Sequence, residues 1–237
     1  MTTTGDLDEV LDSLSGARGR TIMSTSAERA ANAIQEQVVE GLLRSGARLP
    51  EERLSAAIGV SRNTLREALS QLVAERILVR EPNRGVVVAT ADADDVRDIY
   101  RARRMIEPSV VQHADLGDPS AVEAIVRAVD EGRRAEAQDD WDRVATANQH
   151  FHRAIVGLAG SPRLDSQMGL LLAEMRLVFH QMPGVREFHA PYLRQNASIA
   201  AAIAAGDQDT AATDLRRYLA TAEQQLLAAL GGTPAAT

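Results

Sequence analysis

Ser61, Arg62, Asn63, Thr64 and Arg66 stand close together in the sequence and carry side chains that can bind nucleic acid. Arginine can form two parallel hydrogen bonds with guanine, while serine, threonine and asparagine reach phosphates or base edges. Arg62 and Arg66 are four residues apart, so a helix would place them on one face. The cluster therefore predicts contacts with double-stranded DNA.

Two helices and a hairpin are predicted around this cluster. One helix begins at residues 50–52, the chain turns at Gly59, and a second helix runs over residues 62–75. Two β-branched runs then flank a Pro-Asn turn, which is typical of a hairpin. This order predicts a winged helix-turn-helix, in which Arg53 approaches the same groove and Arg84, at the tip of the wing, suits the minor groove.

The distribution of charge agrees with a DNA contact in this segment. The formal net charge of the chain is -7, but residues 44–84 hold eight arginines against five acidic residues, a net charge of +3. Local positive charge of this kind neutralises phosphates. The alternative is that Arg62 and Arg66 only solvate an exposed helix face or pair with Glu67.

Composition narrows the class of protein further. The chain has 237 residues, 45% of them hydrophobic, which suffices for one or two domains with buried cores. It has no cysteine, which excludes disulfides, thiolate catalysis and cysteine-bound zinc. No apolar run approaches the roughly 20 residues that span a bilayer, and no secretory signal pattern opens the chain. We therefore expect no membrane partner and a cytoplasmic location.

Helical periodicity organises the rest of the chain. We predict a disordered tail over residues 1–24, a DNA-binding domain over 25–90 that opens with a helix at 27–44, and a helical effector-binding and dimerisation domain over 94–231. The predicted helices of the last domain cover residues 93–114, 119–138, 141–159, 163–181, 189–205 and 208–230. The expected fold class is mainly α, a winged helix-turn-helix followed by an all-α bundle.

Several segments of the first half carry a family resemblance. They read RLPEERLS at 48–55, GVSRNTLREAL at 59–69 and NRGV at 83–86. They closely resemble the GntR family of bacterial transcription regulators. The resemblance implies that Arg53, Arg62 and Arg66 read a short palindromic operator, with Ser61 and Thr64 helping. It also implies a homodimer, because operator symmetry mirrors protein symmetry.

One residue departs from this family pattern. Arg76 stands where the family usually has glycine. We expect arginine to fit there if the turn into the hairpin avoids positive φ.

The helical half also resembles a known domain. The segments are YRARRMIEP at 100–108, NQHFH at 148–152, GSPRL at 160–164, AIAAGD at 202–207 and LRRYL at 215–219. They resemble the effector domain of the FadR-like branch of the family, the FCD domain. Because the pieces recur in order, the resemblance covers nearly the whole chain after the tail.

Many members of that branch hold a metal with an Asp, a His four residues later and two further His. By position, the resemblance places Asn148, His152, Asn196 and Tyr218 at these sites. Zinc prefers imidazole, thiolate or carboxylate, so only His152 suits it. We expect no tightly bound metal; a residual site would use His152 with Asn148 and Asn196. The alternatives are that the four side chains line an effector pocket, or that each is a satisfied core residue.

Arg103 falls on the apolar stripe of the first helix of this half, so the pattern predicts an inward arginine. An unpaired buried charge is very costly. Arg103 therefore either pairs with Glu107, one turn later, or binds an acidic effector through its guanidinium. Arg176, in another apolar helix, is a second candidate contact for such an effector.

Three functions are weighed on these grounds. The first is a DNA-binding regulator, a repressor, whose operator affinity is controlled by a small carboxylate-bearing metabolite in the helical domain. The second is a ligand-independent DNA-binding dimer with a packed pocket. The third, a metal-dependent hydrolase, lacks the sequence motifs of zinc proteases, nucleophile elbows, P-loops and dinucleotide sites. We therefore expect a protein that is not an enzyme and has no cofactor.

Overall fold

The computed structural model describes residues 25–182 and 184–231, so the predicted tail at residues 1–24 lies outside the described residues. The chain divides into two compact units, one ending at Thr90 and the other beginning at Ala91. The mainly α fold class, with a small sheet in the first unit, is confirmed. The separate roles predicted for residues 25–90 and 94–231 stay predictions.

The described part of the first unit has three helices and a hairpin. They are α1 (Ser26–Val39), α2 (Glu51–Ile58), α3 (Arg62–Ala74), β1 (Leu78–Glu81) and β2 (Gly85–Val88). The α2 helix ends at Gly59, which adopts a φ of 78° and turns the chain into α3. One face of α3 is buried, through Leu65, Ala68, Leu69 and Leu72. That burial leaves the other face of α3 open to solvent.

The predicted first helix ends five residues too late. Apolar residues continue at helical spacing to Leu42, but α1 ends at Val39. Gly41 adopts a φ of 80°, and the amides of Gly41 and Leu42 donate to Val38 O and Gln37 O. This pair of hydrogen bonds around a left-handed glycine is the Schellman arrangement that ends helices.

The segment after α1 joins the hairpin. β1 and β2 pair antiparallel, with Leu78 opposite Val88 and Glu81 opposite Gly85. On the other edge of β2, Gly46 N donates to Val88 O at 2.9 Å and Leu49 N donates to Val86 O at 3.0 Å. The run at residues 46–49 is too short for its pattern to indicate a strand, so this pairing was not predictable from the sequence.

The condition under which we expected Arg76 to fit, a turn that avoids positive φ, is not met. The φ of Arg76 is 60°, its amide donates to Val73 O, and Ile77 N donates to Leu72 O. α3 thus ends in a second Schellman arrangement, with arginine in the position where glycine is preferred. The exposed side chain fits, but the backbone of a residue with a Cβ is strained there by about 1 to 2 kcal/mol.

Replacing Arg76 with glycine should therefore stabilise the protein. Glycine removes the left-handed strain but loses more backbone entropy on folding, so we expect a net gain of about 0.5 to 1 kcal/mol. Denaturant unfolding of the two proteins measures this difference. Arg76→Ala retains the Cβ and should show no such gain; an equal gain in both variants would contradict the backbone explanation.

The second unit is an all-α bundle. Its helices are α4 (Ala93–His113), α5 (Pro119–Ala137), α6 (Trp141–Gly157), α7 (Pro162–Phe179), α8 (Val185–Ala204) and α9 (Gln208–Ala229). α4 packs mainly against α9 and also contacts α6 and α7, while α5 packs on α6 and α8. The α8 helix begins four residues before the predicted start, at Val185 after the left-handed Gly184.

Candidate nucleic-acid interface and a buried polar chain

The start of α3 presents the predicted DNA contacts to solvent. Arg62, Asn63 and Arg66 are exposed, and Ser61 precedes the helix as its cap. Ser61 Oγ accepts from Thr64 N at 3.1 Å, and the two hydroxyl oxygens lie 2.8 Å apart. Ser61 thus fixes the beginning of the helix, which gives it a structural role that our sequence reasoning did not assign.

Both arginines of α3 contact acids of α2. Arg62 Nη2 donates to Glu52 Oε1 at 2.7 Å, and Arg66 Nε donates to Glu51 Oε2 at 2.8 Å. Glu67, the partner that the alternative interpretation considered, does not make either contact. All four side chains remain at least partly exposed to solvent. Sequence reasoning missed the two acids because the pairs are separated by 10 and 15 residues.

Arg53 and Arg84 belong to the same unit but lie on other elements. Arg53 is exposed on α2. Arg84 lies in the turn of the hairpin, where it forms an ion pair with Glu81 and donates through Nη2 to Gly46 O at 3.3 Å. The predicted DNA contacts therefore come from α2, α3 and the hairpin, and their role in binding stays a prediction.

A chain of buried hydrogen bonds connects four helices of the second unit. It consists of Arg103 and Glu107 of α4, His152 and Asn148 of α6, Tyr218 of α9 and Asn196 of α8, and we call it the buried polar chain. Its members are at most 7% exposed. It brings together five of the six predicted effector-binding residues, and Glu107, the predicted partner of Arg103, joins them.

The contacts within the buried polar chain are short. Arg103 Nε donates to Glu107 Oε1 at 2.5 Å, and His152 Nδ1 lies 2.7 Å from Glu107 Oε2. Tyr218 OH lies 3.1 Å from His152 Nε2 and donates to Asn148 Oδ1 at 2.8 Å. Asn196 Nδ2 donates to the same oxygen at 2.8 Å. The predicted inward arginine is thus paired internally with Glu107.

The ionisation states within the buried polar chain follow from its burial and its charged neighbours. Burial disfavours the Glu107 carboxylate, but Arg103 and His152 outweigh that effect and hold the pKa of Glu107 below its ordinary value. Burial lowers the pKa of His152, so its ring is neutral and Nδ1 carries the proton donated to Glu107. Burial also raises the pKa of Tyr218 well above its ordinary value, so its hydroxyl remains a donor.

The four positions that the resemblance relates to a metal site do not fit zinc. Asn148 and Asn196 offer neutral amides, Tyr218 is a protonated phenol, and His152 donates from Nδ1 to Glu107 while its Nε2 lies 3.1 Å from the Tyr218 hydroxyl. Zinc is held by imidazole, thiolate or carboxylate ligands. No group of three or more His, Asp or Glu among the described residues could hold a metal ion.

A narrow crevice lies beside the buried polar chain. It is lined by Ala128, Val144, Ala147, Asn148, His189, Leu193 and Asn196. The crevice has no room for a water molecule. His189 Nδ1 and Asn196 Oδ1 are buried there with no hydrogen-bond partner among the described residues. Buried polar atoms normally have a hydrogen-bond partner, so these two atoms favour the binding of a further polar group in the crevice.

The remaining predicted effector contact and the larger groove lie elsewhere. Arg176 is buried in α7 and donates to Asp142 O at 3.3 Å. An open groove of about 620 Å³ lies on α5 and is mostly apolar. Its lining, from Leu116 to Ala204, includes none of the predicted site residues.

His189 should make the stability of the protein fall below neutral pH. Burial, and then the charge of Arg176, lower its pKa from 6.5 to about 3, and Phe179 and Phe188 pack edge-on around its ring. The unfolded chain binds the proton first, so stability is complete above pH 6.5 and lost as the pH falls. We expect a loss of about 1.4 kcal/mol for each pH unit below 6.5 from this one residue.

Unfolding at a series of pH values measures this effect. His189→Gln should show a shallower decline than the parent protein between neutral pH and pH 5, where carboxylates contribute little. His113→Gln changes an exposed histidine and should leave the slope unchanged. A His189→Gln protein with the parent slope would show that this ring is not kept neutral by folding.

Comparisons with known proteins find relatives of both units. The family model described as bacterial regulatory proteins, gntR family, matches residues 26–88, and that of the FCD domain matches residues 98–221. A GntR-type protein of Rhodococcus sp. RHA1, solved by structural genomics, is 39% identical. The match covers 87% of this chain and 99% of that one, with a TM-score of 0.76.

Two curated relatives agree. The uncharacterized HTH-type transcriptional regulator BphR of Paraburkholderia xenovorans (strain LB400) is 28% identical over 174 residues, which are 68% of this chain and 70% of BphR. The HTH-type transcriptional repressor GlaR of Escherichia coli (strain K12) is 29% identical over 189 residues, 73% of this chain and 84% of GlaR.

A winged helix-turn-helix followed by a helical bundle, with these relatives, defines a transcriptional regulator and not an enzyme. The chain belongs to the GntR family, with an FCD domain that is consistent with the FadR-like branch. Among the described residues, none of the helices is both long and apolar enough to cross a membrane.

Proposed function

We propose that this protein is a cytoplasmic repressor that binds a short palindromic operator as a homodimer. The observation that carries the proposal is the exposed start of α3, where Arg62, Asn63 and Arg66 stand on a helix whose opposite face is buried. A recognition helix enters the major groove in this way. The name of GlaR, a repressor, supports repression rather than activation.

We further propose that a small carboxylate-bearing metabolite in the second unit controls operator affinity. Arg103 Nη2 is buried with no hydrogen-bond partner among the described residues, as are polar atoms of His189 and Asn196. Leaving such groups unsatisfied costs about 1 to 3 kcal/mol each, and a ligand could satisfy them. Because the crevice has no room for water, binding must separate its helices. A ligand that binds only the opened state would shift the equilibrium between two shapes.

One observation favours a second candidate, a ligand-independent regulator. The buried polar chain already satisfies the Glu107 carboxylate from two sides, and the crevice beside it is closed. On this interpretation the second unit serves only to pair two copies of the protein.

Selection of duplexes from a randomised DNA library tests the first part of the proposal. The purified protein should enrich an inverted repeat, because two identical recognition helices read two half-sites. Enrichment of no sequence, or of a single half-site without symmetry, would contradict an operator-binding homodimer.

A thermal-shift screen of organic acids separates the ligand-controlled regulator from the ligand-independent one. Saturable stabilisation by an acid supports the first. It should disappear in Arg103→Met/Glu107→Gln, which removes the guanidinium together with its internal counter-charge. If no acid stabilises the protein, the ligand-independent regulator is favoured.

A further inference from the structure

We propose that Glu51 and Glu52 have opposite effects on the contacts that the two arginines of α3 make with DNA. Glu51 positions Arg66 for base contact, whereas Glu52 competes with DNA for Arg62. This inference rests on the proposed DNA-binding function and extends it to two acids that neither the family resemblance nor the comparisons identify as functional.

The contact between Arg66 and Glu51 holds the guanidinium by its side. Arg66 Nε donates to Glu51 Oε2 at 2.8 Å, and among the described residues no other hydrogen bond to this guanidinium is found. Nη1 and Nη2, the terminal fork that grips guanine O6 and N7, therefore remain available. Glu51 is only 33% exposed while Arg66 is 62% exposed, so the more buried carboxylate holds the guanidinium while its terminal nitrogens face solvent.

The contact between Arg62 and Glu52 uses the other part of the guanidinium. Arg62 Nη2 donates to Glu52 Oε1 at 2.7 Å. Nη2 carries two hydrogens, one for each of the two pairs of nitrogens through which arginine makes a bidentate contact, and the bond to Glu52 uses one of them. A base or phosphate that binds through that pair must therefore displace Glu52. Glu52 is 82% exposed, and its charge would face an approaching phosphate backbone.

Helix stability alone does not explain these contacts. Acids in the first turn of α2 interact favourably with the helix dipole, and both glutamates occupy that turn. The dipole does not require that either acid reach across to α3. Arg66 donates through Nε and Arg62 through Nη2, so the two pairs should affect DNA binding differently. The helix dipole predicts no such difference.

Three isosteric variants test the inference: Glu51→Gln, Glu52→Gln and Glu67→Gln. Glu67 is exposed on α3 beside Arg66 and controls for the loss of one negative charge from the same unit. Fluorescence anisotropy would measure the affinity of each full-length protein for a duplex selected by the parent protein and for an unrelated duplex. Thermal melting of each variant confirms that it is folded.

The two acids should give opposite signatures. Glu52→Gln should bind both duplexes about two- to fivefold tighter than the parent, and tighter than Glu67→Gln. The gain is small because an exposed ion pair contributes little free energy, and it applies to both duplexes because the pair must be broken on binding to any DNA. Glu51→Gln should lower the ratio of the two affinities about fivefold or more, since a base contact loses its orientation.

Several outcomes would overturn the inference. If Glu51→Gln keeps the parent ratio, Glu51 does not position Arg66. If Glu52→Gln binds no tighter than Glu67→Gln, Glu52 does not compete with DNA. Failure of the proposed function looks different, because the parent protein itself would then select no duplex.

Discussion

Replacing Glu107 with glutamine is expected to lower the free energy of unfolding by about 3 to 5 kcal/mol. The carboxylate is fully buried and accepts from Arg103 Nε at 2.5 Å and from His152 Nδ1 at 2.7 Å. Glutamine keeps the shape and an accepting oxygen but removes the charge. The Arg103 guanidinium, 2% exposed, would then be an uncompensated charge in the interior. Denaturant unfolding followed by circular dichroism measures the loss.

Two further variants separate the effect of charge from that of a lost hydrogen bond. Arg103→Met added to Glu107→Gln removes both charges, and we expect it to recover most of the stability. Glu223→Gln breaks a partly exposed pair with Arg104 and should cost less than about 1 kcal/mol. A loss in Glu107→Gln no larger than that in Glu223→Gln would mean that Glu107 does not balance a buried charge.

Replacing Arg62 and Arg66 together with alanine is expected to weaken binding to the selected duplex about a hundredfold or more, since each bidentate base contact contributes about 1 to 3 kcal/mol. Both side chains are exposed and their acidic partners lie on α2, so the fold should persist. Binding to an unrelated duplex should weaken less, because phosphate contacts from elsewhere in the unit remain. Fluorescence anisotropy at fixed salt measures both affinities.

A matched double variant controls for the loss of two positive charges. Arg133→Ala/Arg134→Ala removes two exposed arginines from α5 in the second unit. It should leave the affinity for the selected duplex within about twofold of the parent, because neither arginine is a predicted DNA contact and exposed charges that make no contact are screened by salt. Equal losses in the two double variants would show that only overall charge matters.

Local features of the first unit were predictable because their causes lie close together in the sequence. The helix α3 was expected over residues 62–75 and is found at Arg62–Ala74, since the turn at Gly59 shows where it can begin. In the second unit, the inward Arg103 and its partner Glu107 were both predicted, because four residues make one helical turn.

Features that depend on tertiary packing were not predictable. The pair of Arg66 with Glu51 requires the angle between α2 and α3, and the contact of His152 with Glu107 joins residues 45 apart. Backbone conformation was also misjudged: helical spacing does not show that Gly41 would end α1 early. The sequence also left open whether the turn at Arg76 avoids positive φ, and the residue adopts the left-handed conformation.

The pairing of residues 46–49 with β2 has a consequence for solubility. A two-stranded hairpin offers two open edges, and an open edge can add a strand from another molecule and begin aggregation. Here Gly46 and Leu49 occupy the β2 edge through backbone hydrogen bonds. Among the described residues, only the β1 edge stays unpaired, and it carries the charge of Arg80, which discourages the addition of a foreign strand.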